Sequence, residues 1–218
     1  MRASGHLLTP RRCAARSGGS ACLVKKSLEA AERDEQQREE FRREAEAIAR
    51  RRLVFTDETG FHLAMTRSHG RAPRGQRVRQ RVPRKRGTNV TLIGALALRG
   101  WVAALSFSGA VDREAFDAFV TELLVPRLRR ADVVLLDNLR VHHASSVEDA
   151  VREAKARVLW LPPYSPDFSP LEDCWSKVKA LVRGKEPRSA SDLDAAMTEA
   201  MGAVTATDID GWFRHCGY

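Results

Sequence analysis

DVVLLDNLRVHHASSVEDAVREAKARVLWLPPYSPDFSPLEDCWSKVK, residues 132–179, is the stretch whose reading decides the fold. It opens on Val133 to Leu136, an uninterrupted apolar run bounded by aspartates, the pattern of a strand buried on both faces. Ser145 or Ser146 can begin a helix through Ala154, and RVLWL (Arg157 to Leu161) is another buried strand. The proline-rich PPYSPDFSP then leads into a helix from Leu171 to about Val182. Strand and helix in alternation indicate an α/β sheet covered by helices.

Working outward, LVFTD (Leu53 to Asp57) is a short apolar run ending on carboxylates, and FHLAM (Phe61 to Met65) follows Thr59 and Gly60, which predicts a hairpin. Asn89 to Leu98 and Trp101 to Phe107, joined at Arg99-Gly100, predict a second hairpin in the same sheet. Asp112 can cap a helix with Phe116, Phe119, Val120 and Leu123 on one face, ending at Pro126. Residues 191–215 read as one or two further helices. Residues 25–52 lack Gly and Pro and hold apolar side chains sparsely, at Leu28, Phe41 and Ile48, so they read as a charged, mostly solvated helical linker. Residues 1–24 read as a disordered or unrelated tail. The first twenty are acid-free and rich in Arg, Ser and Ala, with the composition of a transit peptide but no secretory signal. Residues 53–218 are left as the folded domain.

The chain has 218 residues with 43% hydrophobic and 30% charged, enough apolar material for a real core and too many charges for a membrane protein. No stretch approaches the roughly 18 apolar residues of a membrane span. Cys13, Cys22, Cys174 and Cys216 are scattered without a CxxC pair, which excludes a disulfide scaffold and a zinc ribbon and predicts reduced thiols in a cytosolic setting.

The net charge of +9 is localised. Between Glu58 and Asp112 there is no acidic residue, while Arg67, Arg71, Arg74, Arg77, Arg79, Arg81, Arg84, Lys85, Arg86 and Arg99 all lie there, so this segment supplies the whole imbalance. Arginine dominates, the residue whose planar fork matches phosphate oxygens in pairs. A loop kept basic for solubility has the same composition. The density of arginines and the absence of acids favour a polyanion partner, because counterion release makes such a patch an effective DNA contact.

Asp57 and Asp137 each end an apolar strand, and Glu172 starts a helix behind a rigid proline loop. Strand ends of an open α/β sheet are where sites assemble. Carboxylates converging there would bind Mg²⁺ or Mn²⁺, hard cations that take oxygen ligands and assist phosphodiester cleavage. Singly, each has a plainer role: Asp57 with Glu58 can cap a turn, Asp137-Asn138 can make an Asx-turn, and Glu172 can favour a helix N-terminus.

Three words of the sequence, FTDETGF, LLDNLRVHH and LPPYSPDFSPLEDCWSKVK, resemble the catalytic blocks of bacterial insertion-sequence transposases of the mariner superfamily. The 34 residues between Asp137 and Glu172 match that superfamily's spacing. The resemblance implies an α/β, ribonuclease-H-like mixed sheet flanked by helices, with Asp57, Asp137 and Glu172 as catalytic metal ligands. The implied activity is DNA nicking and strand transfer. Asn138 and His142 match the family's Asp-Asn-x-x-x-His word and would orient the site or touch DNA. Lys177 would point at phosphate together with the basic run Arg71 to Arg86. Trp175 reads as core, and Tyr164 either packs or stacks on a base or sugar. Ser169 stands where the family usually has asparagine, and His143 where it has lysine.

Active members of the family carry helix-turn-helix domains ahead of the catalytic domain. No convincing pair of amphipathic helices joined by a tight turn precedes Asp57, so the expectation is a truncated or split-frame product, with a separate helix-turn-helix polypeptide as a partner. Transposon-end and target DNA, a homodimer on DNA, and a nucleoid-associated cytoplasmic location complete that expectation. The alternatives are an inactive DNA-binding remnant and a nuclease of the same fold acting on RNA–DNA hybrids.

Overall fold

The computed structural model describes residues 30–137 and 145–218, so the expectations for residues 1–24, Asn138 and His142 lie outside the described residues. Every element below belongs to the unit Glu32–Tyr218. Five strands, β1 (Leu53–Phe61), β2 (Val90–Ala97), β3 (Gly100–Ser108), β4 (Val133–Leu136) and β5 (Arg157–Trp160), form one sheet in the order β3-β2-β1-β4-β5. The β3-β2 and β2-β1 pairs are antiparallel, whereas β1-β4 and β4-β5 are parallel, which makes the sheet mixed.

The expected hairpin between β2 and β3 is present, and Gly100 follows its turn at a φ of 107°, a conformation that glycine adopts without steric cost. The other expected hairpin is not. β1 runs unbroken through Thr59 and Gly60 to Phe61, and its antiparallel partner is β2, beyond the basic segment. The polar residues that suggested a turn are instead part of the strand, which returns to the core at buried Phe61.

Alternation along the strands divides the core in two. Leu53, Phe55, Val133 and Leu135 face one cluster, while Val54, Val134 and Leu136 face the other. β4 is therefore apolar throughout because both of its faces are covered. On the first face lie α1 (Glu35–Glu46), α4 (Pro170–Lys185), α5 (Ala190–Gly202) and α6 (Ala206–His215). Helix α4 turns Leu171, Cys174, Trp175, Val178 and Val182 inward, a helical 3–4 spacing. On the second lie α2 (Arg113–Ala118), with its wider continuation through Leu124, and α3 (Ser145–Glu153). Asp112 caps α2 as expected, accepting from the Ala115 N–H at 2.8 Å.

Part of the stretch 25–52 forms α1, begun by Asp34, whose carboxylate accepts from the Gln36 and Gln37 N–H groups. Most of this helix is solvated, but Arg38, Phe41 and Ala45 are buried. Phe41 stacks on Phe168 with centroids 5.1 Å apart. Arg38, fully buried, donates to both oxygens of Asp167 at 3.0 and 2.6 Å and lies over the Phe168 ring. This fork ties α1 to the proline-rich loop.

The tie is asymmetric, because the Asp167 side chain is 52% exposed and Arg38 is not exposed at all. Asp167→Ala leaves a buried guanidinium short of partners and should cost about 1–3 kcal/mol. Arg38→Met leaves only a surface carboxylate and should cost less. Urea unfolding of both variants checks the order, and a larger loss for Arg38→Met would refute it.

Candidate active site

The register of β1 and β4 brings the first two carboxylates together. Phe55 is paired with Leu135 in parallel strands, so two residues further along each chain stand Asp57 and Asp137. Glu172 comes from the first turn of α4, which Pro170 starts and which packs against β1. A carboxylate there is favoured by the helix dipole. All three line one cavity of about 390 Å³, whose wall continues through Thr56, Leu161, Pro162, Pro163, Tyr164, Ser165, Pro166 and Ser169. Three residues spread over more than a hundred positions are thus gathered where the parallel pairing of β1 with β4 ends, Asp57 in the middle of β1, Asp137 just after β4 and Glu172 on α4.

Asp57 is held at both oxygens. Its Oδ1 accepts from the Glu58 N–H at 2.8 Å and its Oδ2 from the Trp175 indole N–H at 3.0 Å. Trp175 lies one helical turn after Glu172, so one face of α4 delivers a carboxylate to the cavity and a donor to Asp57. Gly94 makes the approach possible. It is the cross-strand partner of Asp57, and a Cβ there would stand 2.7 Å from Trp175 and 2.8 Å from Trp101. The two indoles pack with centroids 5.6 Å apart, and Trp101 donates to the Met201 carbonyl at 3.2 Å. The sequence reading of Trp175 as core is correct but incomplete; its three-residue spacing from Glu172 was the available signal for the second role.

Burial pushes the Asp57 carboxyl from its ordinary 3.8 up to about 7, and the Glu58 charge adds to the rise; the Glu58 N–H opposes it, while Glu172 and Asp137 raise it further. Mutual repulsion among carboxylates at one cavity is what a divalent cation relieves, and an all-oxygen donor set suits Mg²⁺ or Mn²⁺. Among the described residues no three His, Cys, Asp or Glu side chains stand close enough together to hold a metal ion, so Asp57, Asp137 and Glu172 share the cavity without forming a closed ligand set.

The basic residues stand apart from the cavity. Arg71, Arg74, Arg77, Arg79, Arg81, Arg84, Lys85 and Arg86 lie in an exposed arm between β1 and β2. The arm is closed at its base by the Leu63 N–H donating to the Arg86 carbonyl at 2.9 Å. It is fastened to the end of α4, where Gln80 donates to Glu186 at 2.6 Å and Arg67 to the Gly184 carbonyl at 3.2 Å. Lys177 does not line the cavity; it is paired with Asp208 at 2.5 Å. Burial pushes the Asp208 carboxyl up, but the Lys177 and Thr205 hydrogen bonds outweigh it and hold that group at about 2.

Residues 52–194 match the family model described as DDE superfamily endonuclease. Among solved structures, the Mos1 transposase paired-end complex with left transposon end is similar at a TM-score of 0.69 and 17% identity, over 90% of this chain and 62% of that one. The Mos1 mariner paired-end complex with Mn gives 0.69 and 18%, over 91% and 65%. The catalytic domain of Mos1 mariner transposase gives 0.59 and 16%, over 89% and 91%. The mixed sheet and its flanking helices are thus of the ribonuclease-H-like kind. The chain spans 62% of the length of the first of these relatives. No curated protein matches the sequence significantly.

Because the Asp57 pKa is raised on folding, its charged form opposes the fold, and stability is lost as pH rises from 3.8 toward about 7. Asp57→Asn removes the charge but keeps a single acceptor oxygen, so either the Glu58 or the Trp175 N–H loses its partner. That loss does not depend on pH, whereas removing the charge does: in EDTA the stability of the variant relative to the parent should rise by up to about 4 kcal/mol between pH 4 and pH 8. Thermal unfolding across that range checks this, and a pH-independent gap would refute it.

Proposed function

Because the chain belongs to the DDE superfamily endonuclease family, we propose that it is the catalytic domain of a DNA transposase, dependent on Mg²⁺ or Mn²⁺, that nicks DNA at a transposon end and joins the freed 3′ end to target DNA. The observation that carries this reading is the convergence of Asp57, Asp137 and Glu172 on one cavity. These three residues would hold the cations, whose contribution when bound is Lewis-acid stabilisation of the phosphodiester oxygens that gain charge. The chain's own part is to orient that rim: the Glu58 N–H and the Trp175 indole fix the Asp57 carboxylate, leaving lone pairs on both of its oxygens.

DNA binding is assigned to the arm residues Arg71, Arg74, Arg77, Arg79, Arg81, Arg84, Lys85 and Arg86. Lys177 reaches phosphate only by leaving Asp208. Asn138, directly after Asp137, and His142, five residues after it, complete the assignment from the sequence pattern. Relatives of the fold are paired-end complexes, one with Mn, which supports transposon-end DNA as substrate and a homodimer on DNA. A separate helix-turn-helix polypeptide that recognises the ends and a nucleoid location belong to the same proposal. Among the described residues no helix is long and apolar enough to cross a membrane.

Incubated with supercoiled plasmid and Mn²⁺ or Mg²⁺, the protein should produce nicks that EDTA abolishes and that Asp137→Ala and Glu172→Gln reduce to background. Parent and variants with indistinguishable traces would sink catalysis by this triad. Binding without cleavage by any form would make the chain a DNA-binding remnant. For the arm, log K should fall with log salt by roughly 0.9 per phosphate contact on duplex DNA, and replacing Arg77 and Arg79 together by Ala should flatten the slope by about 2. An unchanged slope would remove the arm from DNA binding.

A further inference from the structure

Carboxylates and cations use only part of the cavity. At about 390 Å³ it lies within the roughly 300–1,000 Å³ range of organic-ligand pockets, whereas a water occupies about 30 Å³. Much of its wall comes from apolar or aromatic residues: Leu161, Pro162, Pro163 and Tyr164. A hydrated cation and a phosphate have no use for such a surface.

Tyr164 stands out there. Its side chain sits on the surface, 57% exposed, so packing does not account for it. It has no hydrogen bond or ring contact with any described residue. Its backbone is left-handed, φ 54°, a conformation that Cβ-bearing residues avoid. The neighbours hold it in that state. Pro163 and Pro166 restrict the chain, and buried Ser165 closes the turn by donating its hydroxyl to the Pro163 carbonyl at 3.1 Å. An aromatic ring kept exposed, strained and unpartnered beside a cluster of carboxylates is preorganised for a flat ligand.

Building on the transposase reading, we infer that Tyr164 is a nucleobase-stacking residue: the base next to the phosphodiester held at Asp57, Asp137 and Glu172 lays its face on the phenol ring. Every base has such a face, so this contact positions the strand and reads no sequence. It requires a base freed from its neighbour, as at a strand end, because a base inside a duplex has both faces covered.

The probe is a DNA duplex with 2-aminopurine at an unpaired 3′-terminal position, bound in Ca²⁺ so that binding proceeds without cleavage. The parent and Tyr164→Phe should quench the fluorescence. Tyr164→Gly should leave it unquenched and weaken binding roughly tenfold to a hundredfold. Glycine suits the left-handed position, so Tm for Tyr164→Gly should equal or exceed that of the parent, a combination that a packing role does not produce. Equal quenching by parent and Tyr164→Gly, or loss of binding together with a Tm several degrees lower, would overturn the assignment. The plasmid assay keeps the two readings apart. If the parent nicks and Asp137→Ala does not, equal quenching sinks the stacking alone; if the parent never nicks, the transposase reading falls and the stacking site with it.

Discussion

The parallel pairing of β1 with β4 is the constraint on which the site depends. Phe55 opposite Leu135 leaves Asp57 and Asp137 at the same height on neighbouring strands, just past the end of their parallel pairing. A slip of one residue would put them on opposite faces and would turn Leu53 and Phe55 out of their cluster, so the hydrophobic core enforces the register of the two carboxylates. The same pairing explains the length of β1. Its first half is sealed between two core layers, while its second half, Asp57 to Gly60, continues as an antiparallel partner of β2 and carries polar groups to the rim.

Assembling carboxylates at that rim costs stability, and the fold offsets the cost locally. Asp57 is pushed up to about 7 by burial first and by its acidic neighbours after it. Two N–H groups hold the carboxylate in place, one from the next residue and one from an indole on α4. The indole reaches it only because Gly94 has no Cβ, and the stacked Trp101 supports it from the side. Helix α4 therefore serves the site three times over: it supplies Glu172, donates through Trp175, and carries at its far end the Glu186 and Gly184 groups that fasten the basic arm.

Much of this was legible in the sequence, for physical reasons that can be separated. Buried parallel strands need continuous apolar runs, so DVVLLD and RVLWL declared themselves, and the catalytic words flanking them carried the triad. The hairpin after Asp57 was misread because Thr59 and Gly60 have the composition of a turn, while pairing over a gap as long as the basic segment leaves no local signal. The inner face of α1 escaped because its buried partners are a half-exposed aspartate and a phenylalanine in a loop more than a hundred residues away. The Trp175 bond and the Gly94 opening depend on cross-strand register, which single-sequence periodicity does not contain. Lys177 looked like a free cation because its partner, Asp208, belongs to a later helix.

The separation of charge has a mechanical consequence. On the transposase reading, a phosphodiester approaching Asp57, Asp137 and Glu172 would be repelled until cations screened them, so the affinity that brings DNA to the rim would have to come from elsewhere on the molecule. The arm is placed to supply it. One root continues from β1, four residues after Asp57, and its body is latched to the end of α4, about 21 Å along the helix from Glu172. On the transposase reading proposed above, a strand drawn by the arginines would lie near the helix that carries the third carboxylate. Binding energy gathered on the arm, together with the apolar wall of the cavity, would then hold a phosphate where carboxylates alone would expel it. On that reading affinity and chemistry would occupy different residues, and each could be weakened without dismantling the other.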